Sequence, residues 1–450
     1  MAGSGTSERL RFGEKLSYGL GDFAFSIVWN VVGAFLLFYY TDVARLPAAA
    51  VGTLFLTARL LDAGVDIGVG VWVDKTRTRW GRTRPFFLFN ALPFALIFVA
   101  TFLVPDWSMG AKLAYAYITF NLLGILFSLG TIPYSALMPM MTANPAERLQ
   151  LGSYRSVSTA LSVIVATAAT MPLVGLLGRG DARLGFALVA GLFAIVSLVL
   201  IANLFRACKE RVSDATPADF AVLPAVGEML RNRAWLVTFV FAALNFVRFG
   251  AILSVTAYFA ITVLRQPWMI SVLLPGVSGT LVLGAFIAPP ILRRTGIRNG
   301  CLGAIALAIA LYLVLPTTEA NPGLFIALFL AASISISVTM TAIFTMAADS
   351  VDYHEWRFAR RNEGLLSSGI SLSTKLGMAI GSAAVAYTLA ATGYAPGAVN
   401  ATAAAAIRWS YYGWPIGVLL AQAVCILFWP MDGLHGRIRA VIAERSALIA

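Results

Sequence analysis

Residues 206–233 read RACKERVSDATPADFAVLPAVGEMLRNR, the longest polar stretch between apolar runs, and what flanks it decides the fold. A helix crosses the hydrocarbon core with about 20 apolar residues. By that measure six spans precede the stretch, starting near residues 17, 48, 85, 111, 153 and 184, and six follow it, starting near 234, 268, 299, 322, 365 and 407. The reading is an all-α membrane protein of twelve transmembrane helices in two six-helix lobes, 1–205 and 234–431. Residues 206–233 form the central loop between them and 432–450 a tail. This is the layout of a two-lobed transporter.

Composition agrees. Of 450 residues 59% are hydrophobic and 12% charged, with mean hydropathy +0.82. Soluble domains average about 45–50% apolar and about 25% charged residues, which excludes an ordinary soluble enzyme. The net charge of +12 suggests no nucleic-acid partner, because the bases lie in short loops between apolar runs. Of the 33 Lys and Arg, six fall on one side (Arg45, Lys112, Arg179, Arg183, Arg265, Arg408) and four inside spans; the remaining 23 share the side of the N-terminus. The positive-inside rule then puts both termini in the cytoplasm of a multi-pass bacterial inner-membrane protein. The polar residues 1–15 lack a signal-peptide core, so the first apolar run is expected to stay in the mature protein. Spans 2 and 8 lead into the basic loops DKTRTRWGRTR (74–84) and RRTGIR (293–298), a weak sign of internal repetition, and the tail GLHGRIRAVIAERSALIA has the pattern of a short surface helix.

Catalytic chemistry is missing from the sequence. Cys208, Cys301 and Cys425 have no CxxC spacing, the two histidines stand outside the spans, and no Walker A or HExxH pattern occurs. No enzyme activity and no cofactor are expected, and energy must come from an ion or substrate gradient.

Charges inside spans are costly and mark function by default. Asp22, Arg59, Asp62, Asp66, Arg155, Arg248 and Lys375 qualify. Asp62 and Asp66 share a helix face with Arg59. Two neighbouring carboxylates hold one cation between them: a proton, or a hard metal ion such as Na⁺ or Li⁺. The alternative is a structural network in which Arg59 neutralises one of them. In GLGDFAFSIVWNVV (19–32), Asp22, Ser26, Trp29 and Asn30 form one polar and aromatic stripe, suited to a sugar's hydroxyls and apolar face, or in Trp29's case to plain helix packing. Lys375 and Arg248 are the lone charges of spans 11 and 7; Arg248 could equally bond interhelical carbonyls.

At these residues the chain resembles the glycoside–pentoside–hexuronide:cation symporters, the melibiose-permease group of the major facilitator superfamily. The likeness rests on KLSYGLGDF (15–23), YYTDV (39–43), GTLFLTARLLDAGVD (52–66), DKTRTRWGRTRPF (74–86), IPYSALMP (132–139), ERLQLGSYR (147–155), AADSVDYHEWRFARRNEG (347–364) and STKLG (373–377), nearly end to end. The resemblance implies a coupling cation, H⁺ or Na⁺, on Asp62 and Asp66 with the Ser128 hydroxyl beside them. Val65 stands where melibiose permeases carry an amide, which shifts the expectation toward H⁺. It also implies a sugar site using Arg155 and Lys375, while the permeases' sugar-binding acids align with Ser26 and Thr131 and their stacking tryptophan with Ser135, which argues against melibiose.

The expected function is secondary active symport of a glycoside, pentoside or hexuronide by a monomer in the lipid bilayer. Asp22, Trp29, Asn30, Arg155 and Lys375 would bind the substrate, and Arg248, with Arg155 and Lys375, favours an anionic one such as a uronide. Loops 74–84 and 351–361 would act as cytoplasmic latches or serve only to fix topology. A lysophospholipid carrier of the same fold and a non-transporting membrane sensor are the rivals.

Overall fold

The computed structural model describes residues 9–142, 144–211, 227–358, 363–396 and 399–434, with 438 and 441. Most of the central loop and of the C-terminal tail, and with it the expected surface helix, lies outside the described residues. The chain forms two compact units, Met1–Thr216 and Pro217–Ala450.

The first unit holds α1 (Phe12–Phe38), α2 (Ala48–Lys75), α3 (Arg84–Thr101), α4 (Met109–Met141), α5 (Pro145–Gly178) and α6 (Ala182–Ala207). Local signals set the ends: the Glu14 carboxylate accepts from Arg11 N at 3.0 Å at the start of α1, and the Asp181 carboxylate caps Arg183 and Leu184 at the start of α6. Helix α1 is the hub. Gly19 lets it approach α5 so closely that a Cβ there would meet the Tyr154 carbonyl at 3.0 Å, the small-residue contact by which membrane helices associate. Tyr18 stacks on Tyr134 of α4 with centroids 4.6 Å apart, and Ser197 of α6 donates to the Ala24 carbonyl at 2.9 Å.

The second unit begins with α7 (Arg233–Tyr258). An unbroken helical run, Ile270–Val314, follows, but Gly296 inside it has φ 78° and ψ 165°. We therefore number it as α8 (270–295) and α9 (297–314). Then come α10 (Pro322–Phe358), α11 (Glu363–Ala391) and α12 (Ala401–Leu427). Here α7 is the hub. Gly377 and Gly381 of α11 sit against the carbonyls of Ala243 and Val247, Trp235 Nε1 donates to Leu366 O at 2.9 Å, and Asn245 donates to Thr339 of α10 at 2.7 Å.

Among the described residues ten stretches are long and apolar enough to cross a membrane. Helix α2, with Arg59, Asp62 and Asp66 in mid-length, is not one of them, and the apolar run Pro267–Leu281 at the start of α8 is short. The stretch expected as a loop at 351–361 is instead helical through Phe358, since no Gly or Pro interrupts DSVDYHEWRF to end the helix; 359–361 lie outside the described residues.

The two hubs end alike. A π turn closes α1 at Tyr39–Val43 and another closes α7 at Phe259–Val263. Next stand Arg45 (φ 63°) and Arg265 (φ 54°), left-handed conformations uncommon for a residue with a Cβ, and then Pro47 and Pro267. Backbone bonds match: Leu46 N donates to Tyr40 O at 2.8 Å and Gln266 N to Ala260 O at 2.9 Å. The sequence carries this repeat as VARLP and VLRQP.

Candidate cation and substrate sites

In the first unit the expected site residues fall into linked groups. Asp22, 7% exposed, accepts Arg155 Nε on Oδ1 at 3.0 Å and the hydroxyls of Ser26 (3.2 Å) and Thr159 on Oδ2. Spacing explains the set. Ser26 is one turn after Asp22 on α1, and Thr159 one turn after Arg155 on α5. The Arg155 guanidinium also reaches Ser135 Oγ at 3.5 Å and lies 5.2 Å from the Tyr134 ring centre. Asp22 is thus satisfied by protein groups, and Arg155, side chain 37% exposed, is the more accessible member of the pair. Two turns along α1, Asn30 donates to Ser162 of α5 at 3.2 Å.

The second group centres on α2. Arg59 Nη1 stands 2.8 Å from Asp62 Oδ2, and Asp66 follows Asp62 by one turn on the same face of α2. Ser128 of α4 donates to Asp66 Oδ1 at 2.6 Å. Gly124, one turn before it, leaves room for Asp62, whose Oδ1 would be 2.8 Å from a Cβ there. Two carboxylates, a hydroxyl and one guanidinium therefore share a small volume between α2 and α4. Counted formally, two carboxylates against one guanidinium leave a charge of −1, which one proton or one monovalent cation would balance. Trp29 connects this group to α1: Phe127 stacks on it at 4.5 Å and the Arg59 guanidinium carbon lies 4.8 Å from its ring centre.

Thr131 faces its own helix, donating to Phe127 O at 2.9 Å. In the second unit Lys375 is half-buried on α11 and Arg248 is buried on α7. Thr159, Ser162, Tyr134 and Phe127 join these groups only through packing between helices. Thr159 had a usable signal, the Arg155 to Thr159 spacing of one turn, but nothing in one dimension says that α5 lies on α1.

A chain that is almost entirely helical among the described residues and repeatedly crosses the membrane, with ionic groups clustered inside it, has the make-up of a transporter. The family described as MFS/sugar transport protein matches residues 17–433, and the chain belongs to it. It is 32% identical over 440 residues to the isoprimeverose transporter of Lactiplantibacillus pentosus, covering 96% of this chain and 92% of that one. It is 33% identical over 398 residues to the inner membrane symporter YicJ of Escherichia coli (strain K12), covering 86% and 84%. The solved D-xylose-proton symporter superposes with TM-score 0.61 at 15% identity, over 91% of this chain and 97% of that one, a likeness of fold.

Proposed function

We propose that the protein is a monomeric cation-coupled symporter of the inner membrane, with both termini cytoplasmic, that carries a glycoside, pentoside or hexuronide by alternating access. The observation that carries this reading is the Arg59 link, 2.8 Å to Asp62 on one side and 4.8 Å to the Trp29 ring on the other. A proton or Na⁺ arriving at Asp62 and Asp66, with Ser128 as a further oxygen ligand, competes with Arg59 for the Asp62 carboxylate. The guanidinium then shifts on Trp29, and the stripe Asp22, Ser26, Trp29 and Asn30 registers the change. Arg155 presents N–H donors to sugar hydroxyls from its pair with Asp22, and Thr131 borders the same helix face as Ser128.

The energetics suffice. One charge moving through 100 mV contributes roughly 2.3 kcal/mol, about a 40-fold substrate gradient at 1.4 kcal/mol per tenfold. The family described as sugar transport protein, the relative named for isoprimeverose and the relative named a symporter support the assignment.

The test is uptake into proteoliposomes of radiolabelled glycosides, pentosides and hexuronides under an imposed pH gradient, an imposed Na⁺ gradient, or neither. Gradient-driven accumulation of one class names both substrate and ion. Uptake of lysophospholipid alone, indifferent to either gradient, would overturn the reading.

A further inference from the structure

Arg248 is 4% exposed on α7. Its Nε is buried without a hydrogen-bond partner. Beside it stands the neutral Tyr312 hydroxyl of α9, and among the described residues no carboxylate takes part in its surroundings. The other intramembrane arginines differ: Arg59 holds Asp62 and Arg155 holds Asp22. A buried guanidinium cannot shed its charge in a protein, and a buried ion without a partner carries a large desolvation cost. Interhelical carbonyls do not meet that cost here, since among the described residues no backbone acceptor bonds to this side chain.

The guanidinium lines a cavity between α7, α8 and α10, with Asn245, Thr280 and Ser333 supplying polar groups and Phe249 and Ile336 apolar wall. The cavity is small, ≈ 30 Å³, room for one compact group and not for a sugar ring.

We infer that this cavity in the second unit is a one-anion site, in which Arg248, positioned by the neighbouring Tyr312 hydroxyl, binds a single small negative group with help from the Ser333 hydroxyl that lines the same cavity. That chemistry has two sources: the carboxylate of an acidic sugar, or a free small anion such as chloride. The first source rests on the sugar-carrier reading above and narrows it to uronides; the second does not depend on it. Arg155 does not compete for the role, because Asp22 already neutralises it.

The experiment compares wild type, Arg248→Gln, Arg248→Lys and Tyr312→Phe in detergent, measuring affinity from ligand-induced thermal stabilisation. The probes are methyl β-glucuronide, the neutral methyl β-glucoside, and sodium chloride exchanged at constant ionic strength for the bulkier sodium isethionate. A charged hydrogen-bonded contact predicts that wild type prefers the uronide by roughly ten- to a hundredfold. Arg248→Gln should erase the preference while keeping glucoside affinity, Arg248→Lys should keep part of it, and Tyr312→Phe should reduce it without abolishing it. Stabilisation by chloride that Arg248→Gln removes, with no uronide preference, assigns the site to a free anion. Equal affinity for uronide and glucoside together with indifference to chloride overturns the site and leaves the sugar carrier standing. Chloride stabilisation without binding of any sugar would do the reverse. Should Arg248→Gln not fold, the Arg248→Lys and Tyr312→Phe arms decide alone.

Discussion

The guanidinium of Arg59 lies 4.8 Å from the centre of the Trp29 ring, so a charge on α2 rests on an aromatic face of α1. Cation–π contacts are worth roughly 0.5–2 kcal/mol, more when desolvated. Trp29→Leu should therefore uncouple the two helices without destroying either: cation affinity stays within a few-fold of wild type, while the enhancement of sugar binding by the cation falls about tenfold. Isothermal titration of sugar at low and saturating cation reads this. An unchanged enhancement would refute the link.

Replacing both carboxylates, Asp62→Asn with Asp66→Asn, should abolish gradient-driven accumulation and spare exchange of substrate down its own gradient. Ser128→Ala is milder. It removes the 2.6 Å donor to Asp66, one bond to a charged group worth about 1.5–3 kcal/mol, and should raise the half-saturating cation concentration at least tenfold. Wild-type accumulation by the double variant would remove the cation from this site.

Asp22 and Arg155 are best interrogated as a cycle. Asp22→Ala alone leaves Arg155 with no carboxylate and should lower thermal stability; Arg155→Ala alone leaves a carboxylate 7% exposed and should do the same. The double variant should be more stable than the sum of the two losses implies, by roughly 1 kcal/mol after allowing for the solvent exposure of Arg155. Additive losses would mean that the 3.0 Å contact contributes nothing.

Below the membrane-spanning part of α5, Glu147 accepts Lys15 Nζ at 2.8 Å and Leu10 N at 3.1 Å. Its pKa is lowered from 4.5, first by the Lys15 hydrogen bond, with the Leu10 backbone bond and the Lys15 and Arg9 charges adding to it and burial opposing. A depressed carboxylate stabilises the fold fully above its unfolded value and loses that contribution as pH falls through the folded value. Thermal melts should show wild type losing stability below about pH 4.5 relative to Glu147→Gln, with the two curves parallel above it. Parallel curves throughout would exclude the ion pair as a determinant.

Much of this was legible in the sequence because hydropathy is a one-dimensional property. The expected span starts at 48, 85, 184, 234 and 322 lie within two residues of α2, α3, α6, α7 and α10. The Arg59, Asp62 and Asp66 stripe was legible for the same reason, since i,i+3 and i,i+4 spacing lives within one helix. Thr159 and Ser162 were not, because their roles depend on which helix lies beside α1. The charges of segment 351–358 suggest a solvent loop, yet its His354 is fully buried and the helix extends through it. The VARLP and VLRQP repeat was visible in the sequence but lacked meaning until both copies showed the same left-handed arginine.

That repeated corner gives a register between the halves. Setting Val43 against Val263 places Asp22 opposite Ala242, Ser26 opposite Phe246, Trp29 opposite Phe249 and Asn30 opposite Gly250, while Arg248 falls opposite Val28. The scaffold of the hub helix is present twice; its mid-helix charge differs, the acid Asp22 on one copy and the base Arg248 on the other. Duplicate architecture frees each copy from having to perform the whole task, and the positions where the copies differ are where specificity can be rewritten without disturbing the frame.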